Sequence, residues 1–411
     1  MQSPTGGDRV IFHCDCNGFF ASVEILDRPE LKNVPVAVAG SEEDRSGIVL
    51  AKNELAKNHG IFTTQTVWQA KKMCPALVLV PPRHRRYSEV SSLVNAVYEQ
   101  FTDQVEPASI DESYLDVTGS LPYFEVDAGT LADRVRQKIR EEIGITISVG
   151  VSFCKIFAKM GSDYKKPDAT TVITRRNYQD ILWPLPVGRM LYAGKSTCEV
   201  LRKHHILTIG DLARQDAERV EKILGKSGRS LWLYCNGVDD APVLRPGETA
   251  GARSVGNGMT FRRDLLGEES LRKALIALSD QVAQRLRHMD KKCRTVQVQV
   301  KDTSLKVISR QTTLQRPTWL QKELADAAMD ILLSQWDMLR PVRALTVTAE
   351  NLVDADEAFE QLSLLTAPDD AEHEKRERLE SAVSLIRERL GESSVHMGMP
   401  AEDVPGPRRY E

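Results

Sequence analysis

The sequence has no stretch that could cross a membrane, because no run of about eighteen consecutive apolar residues occurs in it. Its first residues, MQSPTGGDRV, lack the charged and apolar blocks of a signal peptide. The 7 cysteines are scattered, form no CxxC pair and show no spacing typical of a metal knuckle. These absences argue against a disulfide framework and a zinc finger. They predict a cytoplasmic protein with reduced thiols and no membrane partner.

The chain as a whole also lacks a large excess of charge of either sign, since its net charge is −3. The charge is unevenly distributed, however. Residues 251–345 contain 17 Lys and Arg against 10 Asp and Glu, a surplus of 7. Residues 346–411 contain 7 against 16, a deficit of 9. A basic module followed by an acidic tail favours a polyanionic partner, such as nucleic acid.

Several changes of pattern divide the chain into segments. Short apolar runs alternate with helical patterns over about residues 1–170, which predicts an α+β domain. Residues 171–240 contain two helix–turn–helix units, and Pro and Gly then cluster in residues 241–254, which predicts a linker. Residues 255–353 show the order β-α-β-β-α-β of a small sandwich, and residues 354–411 form an acidic tail with one amphipathic helix.

Three acidic residues lie at the ends of predicted strands. Asp15 ends the first strand, and Asp111 and Glu112 lie on a later one. Carboxylates are the ligands that Mg²⁺ prefers, and two bridged ions can activate a hydroxyl and stabilise a leaving pyrophosphate. Neighbours on a regular strand point to opposite faces, so a shared site requires a bend or bulge at Asp111. Acidic residues at strand ends also commonly face solvent, and spacing alone leaves both interpretations open.

Three segments in order, HCDCNGFFASVE, SIDESYLDV and SVGVSFCKIFAKMGSDYKKPD, resemble the palm motifs of the Y-family DNA polymerases. The resemblance covers about residues 9–353. It implies a right-hand polymerase fold of the α+β class, with a small fingers domain, a helix–hairpin–helix thumb and a β-α-β-β-α-β little finger. The implied domains are the palm (1–22 and 76–170), fingers (23–75), thumb (171–240), linker (241–254), little finger (255–353) and acidic tail (354–411).

The resemblance also implies roles for individual residues. Asp15, Asp111 and Glu112 would be catalytic and would hold two Mg²⁺ ions with the main-chain carbonyl of Cys16. Phe20 would be the steric gate, because an aromatic ring beneath the sugar leaves no room for a 2′-hydroxyl. Further contacts to the nucleotide would come from Phe19, Lys57 and Lys166.

The fingers depart from the common pattern of the family. Many members carry a Tyr and an Arg in an N-Y-x-A-R segment that touches the triphosphate. This chain has Glu54 and Lys57 at those positions. Lys57 can replace the arginine as a point charge, but Glu54 cannot replace the tyrosine as a neutral donor.

Contacts with DNA and with a sliding clamp are implied as well. The hairpins of the thumb and the basic little finger would grip the DNA backbone without reading sequence. The DNA contacts implied are Gly194, Lys195, Gly225, Lys226, Gly228, Arg262, Arg263 and Arg310. The segment QLSLL resembles the peptide by which bacterial polymerases dock on the clamp, with Gln361, Leu362, Leu364 and Leu365 as its contacts.

The resulting prediction is a monomeric, template-directed DNA polymerase that copies damaged template with low fidelity, using primer-template DNA and dNTPs. Low fidelity is expected because no segment remains for a proofreading exonuclease. One alternative is a polymerase-like scaffold with weak catalysis, although such a protein would be expected to lose acidic ligands. A helix–hairpin–helix DNA-binding protein would leave residues 1–170 unexplained. A nucleotidyl cyclase would need neither a basic module nor a clamp peptide.

Overall fold

The computed structural model describes residues 8–41, 47–245, 247–248, 251–356, 370–391 and 394–395. The chain divides into two units. The first contains Met1–Ala39 and Ile48–Thr249, and the second contains Gly40–Gly47 and Ala250–Glu411. The division after residue 249 falls within the residues predicted as a linker.

The first unit begins with a mixed series of strands and helices. In chain order these are β1 (Ile11–Cys16), α1 (Phe19–Asp27), β2 (Val36–Ala39), β3 (Val49–Lys52), α2 (Glu54–Asn58), α3 (Val67–Met73), β4 (Val78–Val80), α4 (His84–Tyr98), β5 (Val105–Pro107), β6 (Glu112–Asp116), α5 (Leu121–Phe124), α6 (Ala128–Glu142), β7 (Ile147–Ser152), α7 (Lys155–Tyr164) and β8 (Thr170–Ile173). Among the described residues, the strands form a five-stranded sheet, β5-β6-β1-β7-β8, and a three-stranded sheet, β3-β2-β4.

Helices cover both faces of the five-stranded sheet at its centre. Phe12 of β1 packs in one apolar cluster with residues of α4 and α6. Its neighbour Ile11 packs with Ala158 of α7 in another cluster. Because successive side chains on a strand point to opposite faces, α7 lies on the other side of the sheet from α4 and α6.

Helix α7 approaches β7 unusually closely, and this positions the side chains that α7 contributes to the site. A Cβ atom at Gly150 of β7 would overlap the main-chain carbonyl of Ala158. Only glycine at this position lets the backbone of α7 lie against the strand. The rest of the first unit is helical, with α8 (Tyr178–Leu182), α9 (Lys195–Lys203), α10 (Ile209–Ala213), α11 (Ala217–Leu224) and α12 (Lys226–Cys235).

The second unit has the β-α-β-β-α-β order that the sequence predicted. Its elements are β9 (Ser254–Leu265), α13 (Glu268–His288), β10 (Lys291–Asp302), β11 (Val307–Thr318), α14 (Gln321–Gln335), β12 (Val342–Asp354) and α15 (Asp370–Leu390). The described strands pair in the order β11-β10-β12-β9. Val296, Val298 and Val300 of β10 are buried in one cluster with residues of α13 and α14, so both helices cover the same face of the sheet.

Helix α15 packs on the second unit with an unusual polarity. Its buried side chains include Glu380, Ser384 and Arg387, whereas Leu385 and Leu390 are exposed. Glu380 and Arg387 are buried there because they meet opposite charges on α13: Arg287 lies 2.6 Å from Glu380, and Asp280 lies 2.9 Å from Arg387.

Candidate functional site

Strand pairing brings the three predicted carboxylates to one end of the five-stranded sheet. Asp15 is the register partner of Glu112, where β1 pairs with β6. Asp111 precedes β6 in the bent segment 109–111, and its main-chain carbonyl accepts a hydrogen bond of 3.0 Å from the Cys16 amide. The predicted bend is therefore present. All four residues line one cavity of about 360 Å³.

Two lysine side chains lie against these carboxylates. Lys166 Nζ lies 2.5 Å from Asp15 Oδ2 and 2.7 Å from Asp163 Oδ1. Lys159 Nζ lies 2.5 Å from Glu112 Oε1 and 3.6 Å from Asp15 Oδ2. Within the described ranges, no three His, Cys, Asp or Glu side chains converge as a ready-made metal site. The chemistry of the donors nevertheless fits a hard divalent cation, because the cavity lining offers carboxylates and a main-chain carbonyl.

A buried histidine lies below Glu112. His13 Nε2 is 3.4 Å from Glu112 Oε2, and its Nδ1 is 2.8 Å from the hydroxyl of Ser162. Burial lowers the pKa of His13. Contacts with His13 and Lys159 lower the pKa of Glu112, although burial opposes them. Glu112 therefore stays ionised throughout the physiological range.

Asp15 differs from Glu112 in its electrostatics. Burial raises the pKa of Asp15 to about 6, although the nearby ammonium groups of Lys166 and Lys159 oppose this shift. The two carboxylates line one cavity, but their pKa values shift in opposite directions: that of Asp15 rises and that of Glu112 falls. Asp15 is consequently the member of the pair whose charge changes near neutral pH.

The two adjacent phenylalanines have different environments. Phe19 is buried at 3% exposure in the main apolar cluster. Phe20 is only partly buried and stacks on Tyr87, with ring centroids 4.2 Å apart and planes inclined by 13°. Both rings belong to the cavity lining. Gly18 directly precedes α1 and has a φ of 55°. A Cβ there would lie 2.8 Å from the Lys52 carbonyl, so glycine is required for α1 to approach β3 this closely.

Comparison with known proteins finds relatives that match most of this chain. The model of the impB/mucB/samB family matches residues 14–163, and that of its C-terminal domain matches residues 252–364. The DNA polymerase IV of Acetivibrio thermocellus is 44% identical, with 96% of this chain and 98% of the relative covered. DNA polymerase IV 1 of Bacillus subtilis is 36% identical, with 96% and 93% covered.

The chain is a member of the Y-family of DNA polymerases. A solved Y-family DNA polymerase chimera also superposes on it with a TM-score of 0.75 and 25% sequence identity, covering 84% of this chain and 99% of the chimera. Membership carries DNA-directed DNA polymerase activity, with DNA and dNTPs as substrates and a divalent metal in general. No helix in the described part of the chain is long and apolar enough to cross a membrane.

In the predicted fingers of this Y-family polymerase, the lysine that lines the cavity is Lys52, whereas the predicted nucleotide contact is Lys57. Lys57 pairs with Glu54 at 3.1 Å, both side chains are about half exposed, and neither residue lines the cavity. Lys52 and Thr63 do line it. Burial and the nearby charge of Lys57 lower the pKa of Lys52. Lys52 and Lys159 were not predicted from the sequence to lie at this site. In the sequence, Lys52 could have been found by its position at the end of the β3 pattern, and Lys159 by its position about two helical turns before Lys166.

The thumb hairpins place four of their five implied contacts at exposed tips. Gly194 and Gly225 directly precede α9 and α12, and a Cβ at either glycine would meet nothing within 4 Å. Lys195 and Lys226 are the exposed first residues of these helices. Gly228 is different, because it is buried inside α12, where a Cβ would lie 2.7 Å from the Val220 carbonyl. Helix packing accounts for this glycine.

The implied DNA contacts of the little finger lie in different environments. Arg262 and Arg263 are exposed on β9. Arg310 is the register partner of Val298, so it points to the face covered by helices, and its Nε donates a hydrogen bond of 3.2 Å to Gln335 of α14. The opposite face carries mostly polar side chains. These include Gln297, Gln299, Gln311, Thr346 and Thr348, together with Gly256 and Gly258. The implied clamp contacts Gln361, Leu362, Leu364 and Leu365 lie outside the described residues.

Proposed function

We propose that this chain extends a primer along damaged DNA template with low fidelity and without proofreading, using a site centred on Asp15, Asp111 and Glu112. The observation that carries the proposal is the strand register that sets Asp15 opposite Glu112, with Asp111 beside them in one cavity. Two bound Mg²⁺ ions would lower the pKa of the attacking 3′-hydroxyl and stabilise the leaving pyrophosphate.

The protein groups around this site supply binding and orientation. Asp15 and Asp111 would bridge the two ions, Glu112 would complete the site at the primer end, and the Cys16 carbonyl would add a main-chain ligand. Lys166 lines the cavity and would neutralise the triphosphate as charge moves to pyrophosphate. The proposed chemistry therefore depends on carboxylates from β1 and from the start of β6, and on one ammonium group from the loop after α7.

Primer extension tests this proposal directly. Wild-type protein and Asp111→Ala are compared on a primed template with Mg²⁺ and single dNTPs. Only the correctly templated nucleotide should be added by the wild type, and the variant should lose at least about a thousandfold in rate, as expected when a group that stabilises the transition state is removed. Equal thermal unfolding of the two proteins is the control. Absence of extension by both, with salt-sensitive DNA binding retained, would favour the scaffold alternative.

The sugar gate is tested by changing Phe20. Because its ring stacks on Tyr87 at the cavity, Phe20→Ala should open space beneath C2′ and admit ribonucleotides. The measurement is the ratio of kcat/KM for dNTP to that for rNTP. Tyr87→Phe is the matched control, since it retains the stacked ring and removes only the hydroxyl, which donates to Glu24. An unchanged ratio in Phe20→Ala would remove Phe20 from this role.

DNA binding is proposed at the exposed hairpin residues Gly194, Lys195, Gly225 and Lys226, and at Arg262 and Arg263. Contacts of lysine and arginine with phosphate release counterions, so the binding constant should fall steeply with salt. Replacing Lys226 by Ala should reduce the slope of log K against log salt by about 1. Arg310 and Gly228 are less favoured as contacts because one faces α14 and the other is buried.

A sliding clamp is proposed as a further partner, through Gln361, Leu362, Leu364 and Leu365. A glutamine anchor followed by apolar side chains suits docking into a pocket. Deleting residues 361–365 should shorten the products made with the clamp and leave synthesis without the clamp unchanged. Equal product lengths with and without the segment would contradict the assignment. A cytoplasmic location, which 7 free thiols favour, and a monomeric state complete the proposal.

A further inference from the structure

Lys159 has no role in the chemistry described so far, yet its ammonium group lies among the carboxylates. It is 2.5 Å from Glu112 Oε1, 3.6 Å from Asp15 Oδ2 and 3.8 Å from Asp163 Oδ2. Its side chain is only 16% exposed. We propose that Lys159 is an internal counter-cation of this site that competes with the divalent ion for Glu112. The inference rests on the proposed metal role of Asp15, Asp111 and Glu112.

Competition follows from the way in which Glu112 is already engaged. One carboxylate oxygen lies against Lys159, and the other lies 3.4 Å from His13. A divalent cation and an ammonium group repel each other strongly when both approach one carboxylate in a partly buried cavity. Binding of the ion therefore requires Lys159 to withdraw from Glu112. Until it does, Lys159 screens the repulsion between Glu112 and Asp15.

The structure also provides a place to which Lys159 can withdraw. Asp163 lies one turn along α7 and is half exposed, with its Oδ2 3.8 Å from Lys159 Nζ. The backbone of α7 is fixed against β7 at Gly150, so the exchange requires only rotation about side-chain bonds. A lysine suits this role because its charge is a single point on a flexible stem, whereas an arginine would hold a carboxylate with a rigid fork.

Lys166 is placed differently and does not duplicate this role. It contacts Asp15 rather than Glu112, it is 29% exposed, and it lines the cavity. Those features suit the triphosphate contact that is proposed for it. The competition described for Lys159 concerns the carboxylate at the primer end.

The test measures metal binding rather than synthesis. Lys159→Met keeps the length of the side chain and removes its charge, and Lys165→Met makes the same charge change at an exposed neighbour. Mn²⁺ is titrated into each full-length protein, and the free ion is followed by electron paramagnetic resonance. Lys159→Met should bind Mn²⁺ about tenfold more tightly than wild type, which corresponds to about 1.4 kcal/mol. Lys165→Met should match wild type. Unchanged or weaker binding by Lys159→Met would overturn the inference.

Thermal unfolding with and without Mg²⁺ gives a second readout, because a ligand that binds more tightly stabilises the folded state more. The rise in Tm on adding Mg²⁺ should be larger in Lys159→Met than in wild type, and Lys159→Gln serves if the methionine variant does not fold. Asp111→Ala distinguishes failure of the proposed metal site from failure of the inference about Lys159. If Mn²⁺ binding is indifferent to Asp111→Ala, the proposed metal site fails. If it depends on Asp111 but not on Lys159, only the inference about Lys159 fails.

Discussion

Each unit has a cluster of buried charges, one beneath α15 and one around Asp15 and Glu112, and the two clusters use different cations. In the second unit, Arg287 and Arg387 are only 7% and 4% exposed, and they meet Glu380 and Asp280, which are 6% and 29% exposed. In the first unit, Lys159 and Lys166 are 16% and 29% exposed, and Lys166 lines the cavity. Arginine holds a carboxylate in a fixed geometry, and lysine is free to turn away. The difference suggests permanent pairing beneath α15 and exchangeable pairing at the active site.

The pair beneath α15 is held by additional hydrogen bonds. Both oxygens of Glu380 accept from the amide of Gln321, the first residue of α14, at 3.1 Å. Arg287 also donates to the hydroxyl of Ser384 at 2.8 Å. Burial raises the pKa of Glu380 and lowers the pKa of Arg287, so desolvation of the pair outweighs the gain from pairing. Such a pair fixes the position of α15 more than it adds net stability.

The largest effect is expected when this permanent pair is broken. Arg287→Met leaves Glu380 buried without its partner, which should destabilise the second unit by about 3–5 kcal/mol. The measurement is chemical unfolding followed by circular dichroism. The double variant Arg287→Met with Glu380→Gln should recover much of this loss, because glutamine is neutral and still accepts from the Gln321 amide. If Arg287→Met were as stable as wild type, the pairing of Arg287 with Glu380 could not be called permanent, and the proposed difference between the two clusters would be wrong.

The active-site cluster should instead respond to mild acid. Because the pKa of Asp15 is raised to about 6, its contribution to stability is present below about pH 4 and is lost as the pH rises through 6. Metal binding has the opposite dependence, since the ion requires the ionised carboxylate. Below pH 6, the Mg²⁺ concentration for half-maximal primer extension should therefore rise about tenfold per unit. Glu380→Gln, in the other unit, should leave this dependence unchanged. A dependence that begins only near pH 4 would show that Asp15 titrates as an ordinary aspartate.

Much of this arrangement could be predicted from the sequence. The motif around Asp15, Asp111 and Glu112 identified the carboxylates, and the bend at Asp111 followed from strand geometry. The order of elements in the second unit followed from its periodicity. These features depend on local patterns, which a sequence displays directly.

What was missed depends on contacts between distant segments. Strand β7 alternates in sequence but is buried throughout, because α7 covers the face that a solvated strand would expose. Lys159 points to Glu112 only because Gly150 admits α7 so closely. Arg310 points away from the open face because of its register with Val298. Register and helix approach are tertiary properties, and no single segment encodes them.

The smallest effect is expected from two lysines of the predicted fingers. Lys52 lines the cavity, and Lys57 pairs with Glu54 outside it. Lys52→Met should raise KM for dNTP about tenfold, as expected for the loss of one charged contact to phosphate of about 1.4 kcal/mol. Lys57→Met is the matched control, and its effect should be below about twofold because Glu54 already pairs with this lysine at an exposed position. Steady-state kinetics on a primed template measures both variants. If Lys57→Met has the larger effect, the fingers use the position that the family pattern implies, and Lys52 is a bystander at the cavity wall. If Lys52→Met has the larger effect, the cation has moved within the fingers from the helix to the strand that precedes it.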